Sequence, residues 1–143
     1  MPGYLLDLVL MTQYDGSNLG ASAVQDILVA QAVDISAFPE ATLAVRVHDK
    51  TITASSGAKL EVLVFPELPS AQDPTSRFIA QTILASVEVN DGTSSSDTPP
   101  LLLLDGLPAN AGAFVRVYVR ATQSNPKAAD LKATLSISLS LKS

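Results

Sequence analysis

The chain has 143 residues, a formal net charge of −5 and a charged fraction of 16%, whereas charged residues make up about 25% of an average soluble domain. The acidic balance argues against a nucleic-acid surface, because phosphate binding needs clustered lysine and arginine. The sequence has no cysteine, which excludes a disulfide framework and a thiolate metal site. A surface this poor in charge is typical of a protein that is buried among neighbouring subunits.

No membrane span or export signal is predicted. The apolar runs are shorter than the roughly eighteen residues that a membrane helix needs. The N-terminal segment MPGYLLDLVLM has no basic region and carries Asp7 in its apolar part, which is not the pattern of a signal peptide. We therefore expect a cytoplasmic protein, unless the chain is incorporated into a particle.

Residues 4–11 form the first predicted strand, and both of its faces are largely apolar. Side chains alternate between the faces of a strand, so Leu6, Leu8 and Leu10 share one face and Leu5, Asp7, Val9 and Met11 share the other. A strand of this kind is expected to be covered on both sides. The core of a sandwich covers one side, and either a loop or a neighbouring copy covers the other. We favour the copy, which makes Tyr4, Leu6, Leu8 and Leu10 candidate interface residues.

Seven more strands are predicted, at residues 24–35, 41–48, 60–65, 78 or 79 to 89, 101–104, 114–121 and 131–142. The pattern of residues 79–85 also fits a helical turn. Turn residues such as Pro39, Gly57 and Pro66 separate them, and the polar segment 90–100 is expected to be an exposed loop. The last strand, LKATLSISLSLK, has the strictest alternation of apolar and polar residues. About eight strands without a convincing helix predict one all-β domain over residues 1–143, an antiparallel β-sandwich of jelly-roll kind.

Chemistry-bearing motifs are scarce. His48 is the only histidine, and its place beside Asp49 predicts a surface residue next to a turn. A zinc site usually needs three protein ligands, and the acidic residues do not have the spacing of a calcium loop. We therefore predict no catalytic, metal-binding or cofactor-binding residue, and no enzymatic activity.

The outward row of residues 114–121 is the best candidate for a recognition surface. Arg116, Tyr118 and Arg120 share this face, and Arg46 extends the row if its strand pairs with theirs. Arginine and tyrosine are enriched at protein interfaces. An ordinary solvated sheet face, with arginine stems lying over apolar surface, has the same pattern, so the sequence leaves both interpretations open.

Three stretches resemble small β-sandwich proteins encoded among bacteriophage head and tail genes: AVDISAFPEATLAVRV, SSGAKLEVLVFPELPSAQD, and VRVYVRATQ with the final LKATLSISLSL. In that family a D-[IV]-S-[GA]-[FY] turn precedes an alternating strand, and residues 34–38 match the turn. Residues 60–65 match a second strand that runs into an acidic loop, and residues 115–120 match a late V-R-V strand. The resemblance covers residues 30–142.

The resemblance implies a virion-associated accessory subunit of the decoration, cement or minor capsid type, without catalytic residues. Its expected partners are further copies of itself and a major capsid or shell protein, with no nucleic acid, membrane or cofactor. The alternative is a jelly-roll ligand-binding module, for example one for carbohydrate. The chain has no tryptophan, three tyrosines and four phenylalanines, so it offers few aromatic rings on which a sugar could stack.

Overall fold

A computed structural model describes residues 4–35, 38, 40–53, 57–69, 77–79, 85–89, 92–95, 101–104, 114–128 and 130–142. Within them lie ten strands, named β1 (Tyr4–Asp15), β2 (Val24–Asp34), β3 (Glu40–Ile52), β4 (Lys59–Pro69), β5 (Arg77–Ile79), β6 (Ala85–Val89), β7 (Gly92–Ser95), β8 (Leu101–Leu104), β9 (Phe114–Thr122) and β10 (Leu131–Lys142). The described part of the chain contains no helix.

The strands form two antiparallel sheets, and the first four strands alternate between them along the chain. The first sheet has the order β1-β10-β3, with β7 and β8 pairing with successive parts of the far edge of β3. The second has the order β2-β9-β4, with β5 and β6 sharing the far edge of β4. Each sheet therefore has four strand positions. This arrangement is that of a jelly roll and confirms the predicted antiparallel β-sandwich.

Strand boundaries differ from the predictions in the second half of the chain. The predicted strand at residues 79–89 corresponds to two strands, β5 and β6, and β7 occupies part of the segment expected to be a loop. The eight predicted strands nevertheless agree with the eight positions, since β5 with β6 and β7 with β8 each fill one edge. The remaining residues of the predicted loop lie outside the described part of the chain.

The inward faces of both sheets form one buried core. Strand β10 lies between β1 and β3, and its burial alternates residue by residue as the sequence predicts. Six of its side chains are buried: Leu131, Ala133, Leu135, Ile137, Leu139 and Leu141. Strands β3 and β9 contribute Val45, Val117 and their neighbours of the same parity, so the apolar stripes of three long strands meet in the middle of the sandwich.

Strand β1 departs from the regular alternation because its pairing with β10 shifts register twice, between Asp7 and Val9 and between Val9 and Thr12. Such bulges place an extra residue on one strand and change which side chains face inward. Met11 takes a φ of 47° at the second shift, a left-handed conformation that is uncommon for a residue with a side chain. The prediction that Leu6 and Leu10 share one face is therefore wrong, and the strand continues past Met11 to Asp15.

One end of the sandwich is held together by the buried side chain of Gln123. Its Nε2 donates to the carbonyl oxygen of Gly16 at 2.9 Å, and its Oε1 accepts the N–H of Ala128 at 3.1 Å. Its own backbone N–H donates to the carbonyl oxygen of Ala23 at 2.8 Å. One residue thus fixes both ends of the loop between β1 and β2 and the loop that follows β9.

Candidate interaction surfaces

The outer face of the first sheet contains a hollow of about 490 Å³ across β1, β10 and β3. The middle strand supplies Ser136 and Ser138, whose side chains are small, whereas the flanking strands carry larger ones. The lining residues are Leu5, Asp7, Leu10 and Met11 from β1, Ala44, Arg46 and His48 from β3, and Ser136 and Ser138 from β10. The hollow thus has a mainly apolar wall on β1 that includes Asp7, a wall on β3 that includes Arg46 and His48, and a floor of hydroxyl groups.

A hydrogen-bonded pair, His48 and Ser136, lies in this hollow. The Nε2 atom of His48 is 2.7 Å from the Oγ atom of Ser136, which also accepts the backbone N–H of Met11 at 3.0 Å. The pairing of β3 with β10 shifts register beside His48, between Thr134 and Leu135. His48 faces outward as predicted, but it lies half-buried within a strand and not next to a turn.

Asp7 and Arg46 line opposite sides of the hollow, and neither forms an ion pair with any described residue. Asp7 pairs with Ser138 on one side of β10, whereas Arg46 pairs with Ser136 on the other. Two strand spacings, each about 4.8 Å, separate the backbones at these positions, and the two side chains form no ion pair across β10. Both charges are exposed and available to another molecule.

The apolar wall on β1 is uncovered. Leu5, Leu10 and Met11 are 59%, 68% and 66% exposed, whereas Leu6 and Leu8 are partly buried and pack against the core. Of the predicted interface residues on this strand, only Leu10 is thus an exposed apolar side chain. The side chain of Tyr4 lies outside the described part of the structure.

The predicted row on β9 lies on the outer face of the second sheet, as its alternation indicates, but its side chains bind one another and their neighbours. Arg120 donates to both carboxylate oxygens of Asp26, at 2.7 and 2.9 Å. Arg116 lies 3.4 Å from the carboxylate of Glu67, which is only 2% exposed, and donates to the hydroxyl of Tyr118 at 3.3 Å. Both arginines of the row therefore already have carboxylate partners in the same chain.

The same contacts raise the pKa of both arginines. For Arg116 the largest cause is the hydrogen bond to Tyr118, and for Arg120 it is the hydrogen bond to Asp26. Arg46 belongs to the other sheet, because β3 pairs with β10, β7 and β8 and not with β9. The expectation that Arg46 extends the row on β9 is therefore wrong.

The sequence held a partial signal for the hollow. The alternation of β10 predicts that Ser136 and Ser138 face outward, and that of β3 predicts the same of His48. Their proximity depends on the pairing of strands that lie far apart in the sequence, and alternation within one strand does not reveal it. Leu5 and Met11 lie on the face of β1 opposite to the one predicted for contact, because the sequence is apolar on both faces and does not indicate which of them turns inward.

Among the described residues, no group of three or more His, Cys, Asp or Glu side chains is placed to hold a metal ion. A helix long and apolar enough to cross a membrane is likewise not found in that part of the chain.

The sequence matches no family model and no curated protein significantly. Solved structures do match. A chain in the structure of the Gx strain of infectious bursal disease virus has a TM-score of 0.51 and 13% identity over 97% of this chain, which corresponds to 31% of that chain. A chain of the infectious bursal disease virus VP2 subviral particle has a TM-score of 0.45 and 12% identity over 99% of this chain and 32% of its own.

This protein thus spans about a third of the length of those viral chains. At 13% identity the likeness concerns the fold alone. Jelly rolls of this type are found in viral capsid and lectin domains. The protein therefore shares its jelly-roll fold with a chain of infectious bursal disease virus.

Proposed function

We propose that the protein is a non-enzymatic structural subunit of a phage-like virion or shell, of the decoration, cement or minor capsid type. It acts at the capsid surface through contacts with further copies of itself and with a major capsid or shell protein. Many weak contacts of this kind add up to firm attachment, because each bound copy raises the effective concentration of the next contact.

The observation that carries the proposal is the uncovered apolar wall of β1. This strand lies at the edge of the first sheet, and Leu5, Leu10 and Met11 expose more than half of their surface. An exposed edge strand with apolar side chains invites pairing with another chain, and contiguous apolar patches mark interaction sites. A chain with a charged fraction of 16% has few groups that oppose such contact. The jelly-roll fold, common among capsid proteins, supports the viral setting.

Cosedimentation with phage-like particles, purified from the virus or host that encodes the chain, tests the proposal. The unchanged protein should sediment with the particles, and Leu10→Ser should raise the Kd for the particles by about fivefold or more, since roughly 1 kcal/mol per contact corresponds to that factor. Leu28→Ser on β2 is the matched control, because Leu28 is also an exposed leucine of an edge strand, at 47%, but lies outside the hollow. Absence of the unchanged protein from the particles would contradict the proposal.

A ligand-binding jelly roll is the second candidate, and the hollow favours it. Its volume of about 490 Å³ falls within the range of roughly 300–1,000 Å³ that small-molecule sites occupy. The hydroxyl groups of Ser136 and Ser138 could bind the hydroxyls of a sugar. A module of this kind should be monomeric and gain thermal stability from its ligand. A panel of mono- and oligosaccharides tested by thermal shift distinguishes the two functions, with Ser138→Ala as the variant that should abolish the shift.

A further inference from the structure

The outer face of the first sheet combines a ridge with a trough. Leu5, Leu10 and Met11 form the exposed ridge on β1, and the small side chains of Ser136 and Ser138 form the floor of the trough beside it. A surface with a ridge next to a trough is complementary to itself. When a second copy is rotated by 180° about an axis that lies parallel to the face and along the strands, the two faces meet and the ridge of each copy lies over the trough of the other, as a two-fold interface requires.

The charged residues of the hollow are placed so that the same two-fold rotation pairs them with opposite charges. Asp7 lies on the ridge strand and Arg46 on the far wall, and neither has an ion-pair partner among the described residues. The two-fold rotation exchanges the ridge side with the wall side, so it brings Asp7 of each copy towards Arg46 of the other. Association removes water from both charges, and each gains an opposite partner in return. A charge that lost its water without gaining a partner would oppose association.

This balance of charge favours a second copy over an unrelated partner. A site for an acidic or a basic partner would carry charge of one sign along its walls, whereas the hollow has a carboxylate on one side and a guanidinium on the other. The described arginines on the outer face of the second sheet differ in this respect. There Arg116 and Arg120 are already paired within the chain, with Glu67 and Asp26.

We propose that two copies of the protein associate through the outer face of β1, β10 and β3 about a two-fold axis. The β1 ridge of each copy fills the hollow of the other, and two equivalent ion pairs join Asp7 to Arg46 across the interface. This inference rests on the proposed function as an assembly subunit and names the contact between copies. The pairing of opposite charges between the copies can be tested directly by reversing each charge.

The test uses the variants Asp7→Arg and Arg46→Asp, with sedimentation-velocity ultracentrifugation of the full chain. Each variant alone places like charges at both contacts, so its self-association should weaken by about tenfold or more, which corresponds to roughly 1.4 kcal/mol. In an equimolar mixture, every heterodimer has opposite charges at both contacts. The mixture, and the double variant Asp7→Arg/Arg46→Asp, should regain the association of the unchanged protein to within about threefold.

Two controls isolate the contact from net charge and from folding. Glu88→Arg and Lys127→Asp make the same changes in net charge at exposed positions outside the hollow, and they should leave self-association unchanged. Should a charge-reversal variant fail to fold, Asp7→Asn and Arg46→Gln replace it, and each should weaken association by about threefold or more. Circular dichroism and thermal melts establish that each variant is folded.

Three results would overturn this inference: a strictly monomeric unchanged protein, single variants that associate as strongly as it does, or a mixture that does not recover. None of them decides whether the protein attaches to a particle, which the cosedimentation experiment tests separately. A protein that sediments with particles but is monomeric in solution would keep the proposed function and lose this interface.

Discussion

Replacing Leu135 by alanine probes the packing of the sandwich at its centre. Leu135 lies in the middle of β10, pairs with Thr12 on one side and Val47 on the other, and has no exposed surface. The substitution removes three carbon atoms from the core. Because strands hydrogen-bonded on both sides hold the backbone in place, the cavity can close only partly, which favours the upper part of the range for buried leucines, about 3–5 kcal/mol.

A loss of this size should lower the Tm by roughly 9–20 °C for a chain of this length, and a urea titration should give the same loss of unfolding free energy. Ser138→Ala is the matched control on the outer face of the same strand, where the side chain is partly exposed and the expected change is within about 0.5 kcal/mol. Equal losses at Leu135 and Ser138 would refute the assignment of the inner and outer faces of β10.

Three further predictions concern hydrogen bonding, pH and close packing. His48→Ala and Ser136→Ala should show a coupling of about 0.5–1.5 kcal/mol in a double-mutant cycle of urea stability; additive effects would contradict the 2.7 Å contact. Hydrogen bonds from Ser17 lower the pKa of Asp15 below 3.8, so its stabilisation is present above that pH and is lost as pH falls through the lowered value. Asp15→Asn should therefore flatten the acid limb of the stability profile. Gly16→Ala should lower the free energy of unfolding by about 1–3 kcal/mol in a urea titration, since the added Cβ would lie 2.7 Å from the Cβ of Ala121. An unchanged urea midpoint would contradict this packing.

The regular strands of the sandwich were predictable from sequence because their alternation is uninterrupted. In β9 every second residue is buried, from Val115 to Ala121, as the sequence indicates. These strands lie between two neighbours, so each side chain faces either the core or the outer surface. Alternation then determines burial directly.

Strand β1 was not predictable in the same way. Between Tyr4 and Met11 its sequence is apolar at every position except Asp7, and two bulges shift its register against β10. Glycine often marks a bulge, but here Met11 adopts the positive φ, so the residue types give no indication. Leu10 consequently faces away from the core, although simple alternation places it on the same face as Leu6.

The hollow depends on long-range pairing, and this limits what a single sequence reveals. His48 and Ser136 are 88 residues apart, and they meet because β3 pairs with β10. The same cause separates Arg46 from Arg116. Both face outward, as predicted, but on opposite sheets. Strand order is set by the whole core and not by any local pattern.

The clamp formed by Gln123 has a consequence for protein engineering. It holds the carbonyl groups of Gly16 and Ala23, and these residues flank an exposed turn in which Gly20 has open space around its Cβ position. The hydrogen bonds of Gln123 already hold the two ends of this turn together. A foreign peptide grafted at Gly20 would therefore bear little of the entropy cost of bringing its own ends together.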